Sequence, residues 1–192
     1  MKRSEINALV REAAATFEAG GWVLPPNPRW DVTDFGLGRH EQYGLVLVNL
    51  AEETEYCEKL MYARKGMATP DHAHAKKKED IIVRRGEMRI RLTLGPGPGP
   101  VALIGPRIPY KLNGVARDAR PGTELILKAG ERITLFPGVY HEFAPTEDGT
   151  IIGEVSTAND DLHDNFFLNP EIGRYASIEE DEEAVVRLVS DR

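Results

Sequence analysis

The sequence predicts an all-β fold, a sandwich or a barrel, with a helix at each end of the chain. From residue 43 onward, short segments rich in β-prone residues are separated by glycine, proline or charged turns. No helical pattern lies between these segments, and strands at such close spacing are typical of sandwiches and barrels. A chain of 192 residues is long enough for one well-packed domain and short for two. We therefore expect a single domain over residues 1–192.

Composition excludes several classes of protein. The net charge of -7 argues against a general nucleic-acid surface, which requires clustered basic residues. Cys57 is the single cysteine, so no internal disulfide can form, and a reducing compartment fits that count. The first residues lack the apolar region of a signal peptide, and no apolar run is long enough to cross a bilayer. We expect a cytoplasmic protein with no nucleic-acid or membrane partner.

The N-terminal segment, about residues 1–21, is predicted to be a helix on the outside of a sheet. Ser4 is placed to cap it, and the glycine pair at 20–21 is placed to end it. The apolar residues at helical spacing are Ile6, Leu9, Val10, Ala13 and Phe17. Residues 22–30 contain three prolines and are predicted to form an extended connector.

The predicted strands fill the middle of the chain. The proline-glycine tract at 95–100 is predicted to be a turn or exposed loop, because proline cannot join a central ladder. The strands are predicted at 43–50, 54–65, 80–85, 87–94, 101–104, 123–128, 131–136 and 150–157.

The C-terminal segment is predicted to be a short helix over residues 177–189. Ser177 and Glu180 have the spacing of a capping box, and valines and a leucine follow at 185–189. The acidic run at 179–183 is interpreted as the solvated face of this helix.

Histidines mark the candidate metal site. Residues two apart on a strand point to the same face, so His72 and His74 can aim both imidazoles at one point, with Glu79 following a short turn. His141 supplies a third imidazole later in the chain. Three imidazoles and one carboxylate suit manganese, iron, nickel or zinc, and an octahedral ion would keep two positions open for a substrate. The lysines at 76–78 are interpreted as a solvated loop tip.

The spacing of these residues resembles a known signature. The pattern G-x5-H-x-H-x4-E-x6-G over residues 66–86 is similar to the first motif of the cupin superfamily. The second motif is looser, with Gly130 and residues 136–141 present, Phe136 in place of a proline and Pro145 in place of an asparagine. The resemblance implies a cupin double-stranded β-helix barrel that holds a metal inside.

Other blocks of the chain narrow the resemblance to one family. Residues 34–39, 43–49, 56–59 and 154–157, together with 163–164, resemble the D-lyxose isomerase family, from about residue 33 to about 174. The N-terminal helix and the acidic tail lie outside this similarity. The resemblance implies an aldose–ketose isomerase acting on D-lyxose and D-xylulose, and also on D-mannose and D-fructose. It implies manganese as the metal, whereas the donor types equally allow iron, cobalt, nickel or zinc.

Sugar isomerisation needs acid–base groups beside the metal. The family match favours Glu154 as the general base, Lys59 as a donor to the substrate oxygen, and Asp164 as a hydrogen-bonding or proton-shuttling group. Strand alternation alone leaves open whether Glu154 and Lys59 face inward or into solvent. A turn-stabilising role for Asp164 is the alternative.

Two further residues of the matching blocks, Phe35 and His40, are candidates to line the pocket, and Glu142 is expected to point away from the metal. Two other functions remain open at this stage, a cupin iron dioxygenase and a non-catalytic sugar-binding cupin. Small cupins commonly pair through their sheets, so a homodimer is expected.

Overall fold

A computed structural model describes residues 1–97, 107–160, 163–172 and 177–191. In these ranges the chain forms one helix, α1 (Arg3–Ala19), followed by thirteen strands. The strands are β1 (Arg29–Thr33), β2 (Leu45–Glu52), β3 (Tyr56–Tyr62), β4 (Thr69–Ala73), β5 (Glu79–Arg85), β6 (Glu87–Thr93), β7 (Ile108–Leu112), β8 (Val115–Ala119), β9 (Thr123–Lys128), β10 (Arg132–Leu135), β11 (Tyr140–Pro145), β12 (Ile151–Thr157) and β13 (Phe166–Phe167).

The strands form two antiparallel sheets whose inner faces pack together. The large sheet has the order β1-β2-β3-β12-β5-β10-β7-β8, and the small sheet has the order β13-β4-β11-β6-β9. Consecutive strands such as β10, β11 and β12 alternate between the two sheets. This alternation is the double-stranded β-helix predicted for a cupin barrel.

Apolar residues form two separate cores on the two faces of the large sheet. The barrel core lies between the sheets and contains Met61, Ile81, Ile90, Leu92 and Phe143 among others. The outer core lies between the large sheet and α1 and contains Ile6, Phe17, Val46, Leu60 and Tyr62 among others. Strand β3 is therefore buried on both faces, which is why alternation could not identify its inward side. In the described part of the chain, no helix has the length and hydropathy needed to span a membrane.

The two glycines that bracket the histidine motif occupy turns that other residues would strain. Gly86 alone separates β5 from β6 and has a φ of +80°. A Cβ added there would lie 2.5 Å from Thr150 Oγ1 and 3.0 Å from its Cα. Gly66 has a φ of +78° before β4. Glycine reaches this left-handed region at little cost. The two glycines therefore permit the turns before β4 and after β5, the strands that carry candidate ligands.

The predicted strands that fall in the described residues each overlap an observed strand. The prediction at 101–104 and part of the 95–100 tract lie outside the described residues. The predicted strand ranges missed β1, β4, β7, β8, β11 and β13, although the argument that His72 and His74 share a face already placed both residues on a strand. Strand β1 begins inside the segment predicted to be a connector. Most of the missed strands are short, and β8 is largely exposed, so they lack the apolar alternation by which longer strands are detected.

The predicted C-terminal helix is wrong. Residues 177–191 contain turns, bends and isolated bridges but no helix, so Ser177 and Glu180 cap no helix there. The guanidinium of Arg3 donates to the Glu180 carboxylate at 2.7 and 2.8 Å and to Asp191 at 2.9 Å. The acidic run therefore pairs with α1 and is not merely a solvated face.

Ser4 is also not the cap of α1, because the helix already begins at Arg3 with Lys2 at the N-cap position. Asp181 accepts from the Ser4 backbone N–H at 2.9 Å and from its Oγ at 2.8 Å. The first N–H groups of a helix have no partner within the helix, and its N-terminus favours negative charge. The acidic C-terminal segment supplies hydrogen-bond acceptors and negative charge, which explains why it lies beside the first turn of α1.

Candidate metal centre and active site

A cavity of about 210 Å³ lies inside the barrel between the two sheets. Its polar lining includes His72, His74 and Glu79 together with two lysines and Glu154. Apolar side chains of the barrel core complete the wall. The cavity therefore combines candidate metal ligands and charged groups with apolar walls.

The four predicted ligands come together from three strands. His72 lies in β4 and pairs directly across the sheet with His141 of β11, while His74 follows the end of β4 and Glu79 begins β5. Glu79 Oε1 lies 3.2 Å from His141 Nε2 and 3.5 Å from His74 Nε2. The His72 ring centroid lies 4.2 Å from that of His141 and 5.2 Å from that of His74.

The three imidazoles are held in the same way. Their Nδ1 atoms lie at hydrogen-bond distance from backbone carbonyls, 2.8 Å for His72, 2.7 Å for His74 and 3.1 Å for His141. A proton on Nδ1 leaves the Nε2 lone pair directed away from the backbone, which is the form that ligates metals. The Nε2 atoms of His74 and His141 are buried without a hydrogen-bond partner.

Burial keeps the rings of His72 and His74 neutral. It lowers the pKa of His74 to about 4 and that of His72 well below its usual range. Neutral imidazoles are the species that bind a divalent cation. Within the described residues, no group of three or more His, Cys, Asp or Glu side chains is already arranged to hold a metal ion. The fit to a metal therefore rests on the donor types and on the two buried nitrogens that lack partners, and by these criteria the residues fit.

Lys77 was missed by the sequence reasoning. It lies in the triplet interpreted as a solvated loop tip, yet its side chain is 3% exposed. Its Nζ lies 3.0 Å from Glu79 Oε2 and 2.9 Å from Glu154 Oε1. Lys76 and Lys78 are exposed, as expected. The available signal was spacing, because residue 77 lies two positions before Glu79 and points to the same side when the chain is extended.

Glu154 and Lys59 both face the cavity, as the family resemblance implied. The two residues pair across β12 and β3, and Lys59 Nζ lies 3.6 Å from Glu154 Oε1. Lys59 also donates to Asn159 Oδ1 at 3.1 Å. Burial by itself would raise the pKa of Glu154, but Lys59 and Lys77 outweigh it and hold that pKa below its usual value. Glu154 is thus a buried carboxylate that stays ionised at neutral pH.

Lys77 joins the two carboxylates. Burial opposes its charge, but Glu154 and Glu79 outweigh burial and raise the pKa of Lys77 above its usual value. The pKa of Glu79 lies well below its usual range, because Lys77 and the three neighbouring histidines together outweigh the effect of burial. One oxygen of Glu79 faces the lysine while the other faces the imidazoles, so a single ammonium orients this carboxylate.

Asp164 is buried but does not line the cavity. Its carboxylate accepts backbone N–H groups of Ala75 at 2.8 Å, Lys76 at 3.1 Å and Lys77 at 2.9 Å. Its backbone carbonyl lies 2.7 Å from His74 Nδ1. The structure thus favours the second of its two expected roles, in which it stabilises a turn. That turn carries His74 and Lys77, so Asp164 acts as a positioning residue.

We expect Asp164→Ala to weaken metal binding about tenfold, because the turn that carries His74 loses the carboxylate that accepts its backbone N–H groups. The measurement is metal affinity by competition with a chelating dye, followed by kcat at saturating metal. Asp164→Asn, which keeps one acceptor oxygen, should fall between wild type and the alanine variant. A kcat that stays a hundredfold low at metal saturation would instead assign Asp164 a direct role in proton transfer.

The remaining candidates divide between the cavity and the surface. Phe35 lines the cavity, whereas His40 lies near Glu5 and Glu41 and is not part of the lining. Glu142 points away from the imidazoles, as expected, and pairs with Arg89 and Arg91 on the outer face of the small sheet.

Comparison with known proteins gives the family. The D-lyxose isomerase family matches residues 27–192, so the similarity extends through the acidic tail that was expected to lie outside it. The chain belongs to the D-lyxose isomerase family. It is 37% identical to a D-lyxose/D-mannose isomerase of Escherichia coli O157:H7, over 100% of this chain and 98% of that protein. It is 30% identical to a D-lyxose ketol-isomerase of a Thermofilum species, over 77% of this chain and 81% of that protein.

Solved structures agree with the fold. L-ribose isomerase of Cellulomonas parahominis superimposes with a TM-score of 0.65 at 21% identity, over 89% of this chain and 94% of that chain. The L-ribose isomerase of an Acinetobacter species in complex with L-ribose gives a TM-score of 0.66 at 20% identity, over 90% and 94%. The predicted cupin barrel is thereby confirmed. The chain is a sugar aldose–ketose isomerase.

Proposed function

We propose that this isomerase interconverts D-lyxose and D-xylulose, and D-mannose and D-fructose, with a divalent metal held by His72, His74, Glu79 and His141. The observation that carries the proposal is the buried carboxylate of Glu154, which is ion-paired to two lysines in the cavity that His72, His74 and Glu79 line. The fourth candidate ligand, His141, lies 3.2 Å from Glu79. The two sugar pairs share the configuration next to the reacting carbons, so one site can accept both. The family relationship makes a dioxygenase or a plain binding protein a poorer explanation.

Manganese is the metal we propose, with iron, cobalt, nickel and zinc as the alternatives that the donor set allows. When bound, a divalent ion would supply Lewis-acid polarisation of the sugar oxygens and stabilise negative charge on them. The chain prepares for this by holding the imidazoles of His72 and His74 neutral and by directing one oxygen of Glu79 towards His74 and His141.

Glu154 is proposed to move the proton between the two reacting carbons. As base it removes the proton from C2 of the aldose, and as acid it returns a proton to C1, while the hydroxyl proton on O2 moves to O1. The aldose and ketose therefore have the same atoms, and no electron donor or acceptor is consumed. A carboxylate beside the substrate can perform both transfers in sequence.

The two lysines have different proposed tasks. Lys59 lies on the strand next to Glu154 and can donate to a substrate oxygen as charge develops there. Lys77 holds Glu154 and Glu79 in fixed relative positions, because its ammonium contacts both carboxylates. Both charges also keep Glu154 ionised between turnovers.

The test is an anaerobic assay of the manganese-loaded protein with D-lyxose. We expect D-xylulose to form without oxygen, and we expect solvent deuterium to enter the ketose at C1 because the proton passes through an exchangeable carboxylate. Ketose formation without any deuterium would replace proton transfer with a hydride shift. Absence of turnover on every pentose and hexose supplied would overturn the proposed function.

Replacing Lys77 by Met is expected to lower activity or metal affinity by about 10–100-fold, because Glu79 loses the group that orients it. Lys78→Met is the matched control, since it makes the same change on an exposed neighbour whose side chain is in solvent. The measurements are kcat/KM and metal affinity for both variants. Equal effects of the two substitutions would show that the buried position of Lys77 has no functional consequence.

A further inference from the structure

Strand β4 contains a bulge that changes which residues face the cavity. His72 pairs with His141, and Thr69 pairs with Phe143, so the two residues between them in β4 oppose a single residue of β11. In a regular strand, residues three apart would point to opposite faces. The extra residue of a bulge reverses that relation, and Thr69 and His72 therefore share the inner face.

The neighbours of the bulge confirm this orientation. Phe143 and His141 are two apart on β11, their rings are stacked at 6.4 Å, and Phe143 lines the cavity. Thr69 lines the same cavity and is 4% exposed. The bulge also has a second effect, because the carbonyl of Pro70 within it lies 2.8 Å from His72 Nδ1. One irregularity thus orients a candidate ligand and places Thr69 in the wall of the cavity.

The hydroxyl of Thr69 is buried without a hydrogen-bond partner among the described residues. A buried hydroxyl that lacks a partner costs free energy, so such groups in native proteins call for an explanation. In this molecule Thr69 lies in the wall of a cavity whose other polar groups include the candidate metal ligands. A substrate hydroxyl would supply the missing partner.

We propose that Thr69 binds a hydroxyl of the sugar beyond the two reacting carbons and so contributes to substrate selection. Thr69 is displaced from His72 by roughly 7 Å along the sheet, from two residues of β11 at the usual strand rise. That offset is comparable with the length of a short sugar chain whose reacting end lies at the candidate ligands. This assignment rests on the proposed isomerase function.

The hydroxyl of Thr69 can discriminate between sugars that react at the same carbons. D-lyxose and L-ribose have the same configuration at C2 and C3 and differ at C4. The groups around C1 and C2 therefore cannot distinguish the two sugars by their reacting ends. A hydroxyl fixed by the bulge contacts one C4 or C5 arrangement better than the other, because a hydrogen-bonding site rejects a partner that leaves its polar group unpaired.

The experiment compares wild type, Thr69→Val and Thr69→Ser. Valine keeps the shape and removes the hydroxyl, whereas serine keeps the hydroxyl. We expect the valine variant to lose about tenfold in kcat/KM for D-lyxose, from the loss of one hydrogen bond, and the serine variant to stay within about threefold of wild type. Metal content and melting temperature, measured on all three, should be unchanged.

Sugar analogues then identify the contact. L-ribose and 5-deoxy-D-lyxose are assayed with wild type and the valine variant, and the penalty for at least one analogue should shrink about tenfold in the variant. The proposal is overturned if the valine variant matches wild type on D-lyxose, or if its loss is the same for all three sugars. If wild type itself turns over no aldose, the proposed function has failed, and the direct binding of D-lyxose to wild type and variant by calorimetry still tests Thr69.

Discussion

Glu154→Gln is expected to lower kcat for D-lyxose by about a thousandfold, since general acid–base groups contribute on this order. Glutamine has nearly the same shape as glutamate but cannot accept and return a proton at neutral pH. It can still accept a hydrogen bond from Lys77, which lies 2.9 Å from Glu154 Oε1. The packing of the cavity should therefore survive, and the loss should appear in kcat with little change in metal content.

Glu142→Gln is the matched control for this prediction. Glu142 directly follows His141, but its carboxylate lies on the outer face of the small sheet with Arg89 and Arg91. The control variant should keep kcat within about threefold of wild type, since only surface ion pairs are affected. Survival of isomerase activity in the Glu154 variant would show that another group moves the proton, and Lys59 would be the next residue to test.

The fold and the candidate ligands could be predicted because their signals are local. His72, His74 and Glu79 lie within eight residues of one another, and the glycines around them mark turns whose backbone only glycine adopts easily. The rule that alternate residues on a strand share a face then brings the side chains together without knowledge of the rest of the fold. His141 was included through its resemblance to a known motif, and the structure places it opposite His72.

The orientation of Glu154 and Lys59 required more than alternation. Strand β3 lies between the barrel core and α1, so Leu60 and Met61 are both buried although they point to opposite faces. Alternation of apolar and polar residues identifies an inner face only when the other face meets water. The family resemblance resolved this question where the pattern could not.

Long-range contacts account for the features that the sequence did not predict. Lys77 has two exposed lysines beside it, and its burial depends on Glu154, which is 77 positions away in the chain. The acidic tail has the composition of a solvated helix, but it satisfies the start of α1 through Arg3 and Ser4. Thr69 faces the cavity because of a bulge that appears only when two strands pair. No local propensity contains this information.

Loss of the proposed metal is expected to lower kcat by on the order of a thousandfold or more, because the sugar oxygens lose the charge that polarises them. The protein treated with a chelator should regain activity when manganese is added. His141→Ala should not regain it, because one of the four donors is missing. His163→Ala is the control, since this imidazole is 78% exposed and its Nδ1 lies 3.0 Å from Asp160 Oδ1, outside the cavity lining.

The stability of the protein gives a measure of the same site that does not depend on turnover. Buried nitrogens of His74 and His141 lack partners, and Glu79 is an ionised carboxylate held away from water. A divalent cation would satisfy all three, and a ligand that binds only the native state stabilises it by about 2.7 kcal/mol at a hundred times its Kd. Manganese should therefore raise the melting temperature of wild type and of Glu154→Gln, but not of His141→Ala. An equal rise in all three proteins would place the metal elsewhere, and it would leave the buried imidazoles without a function.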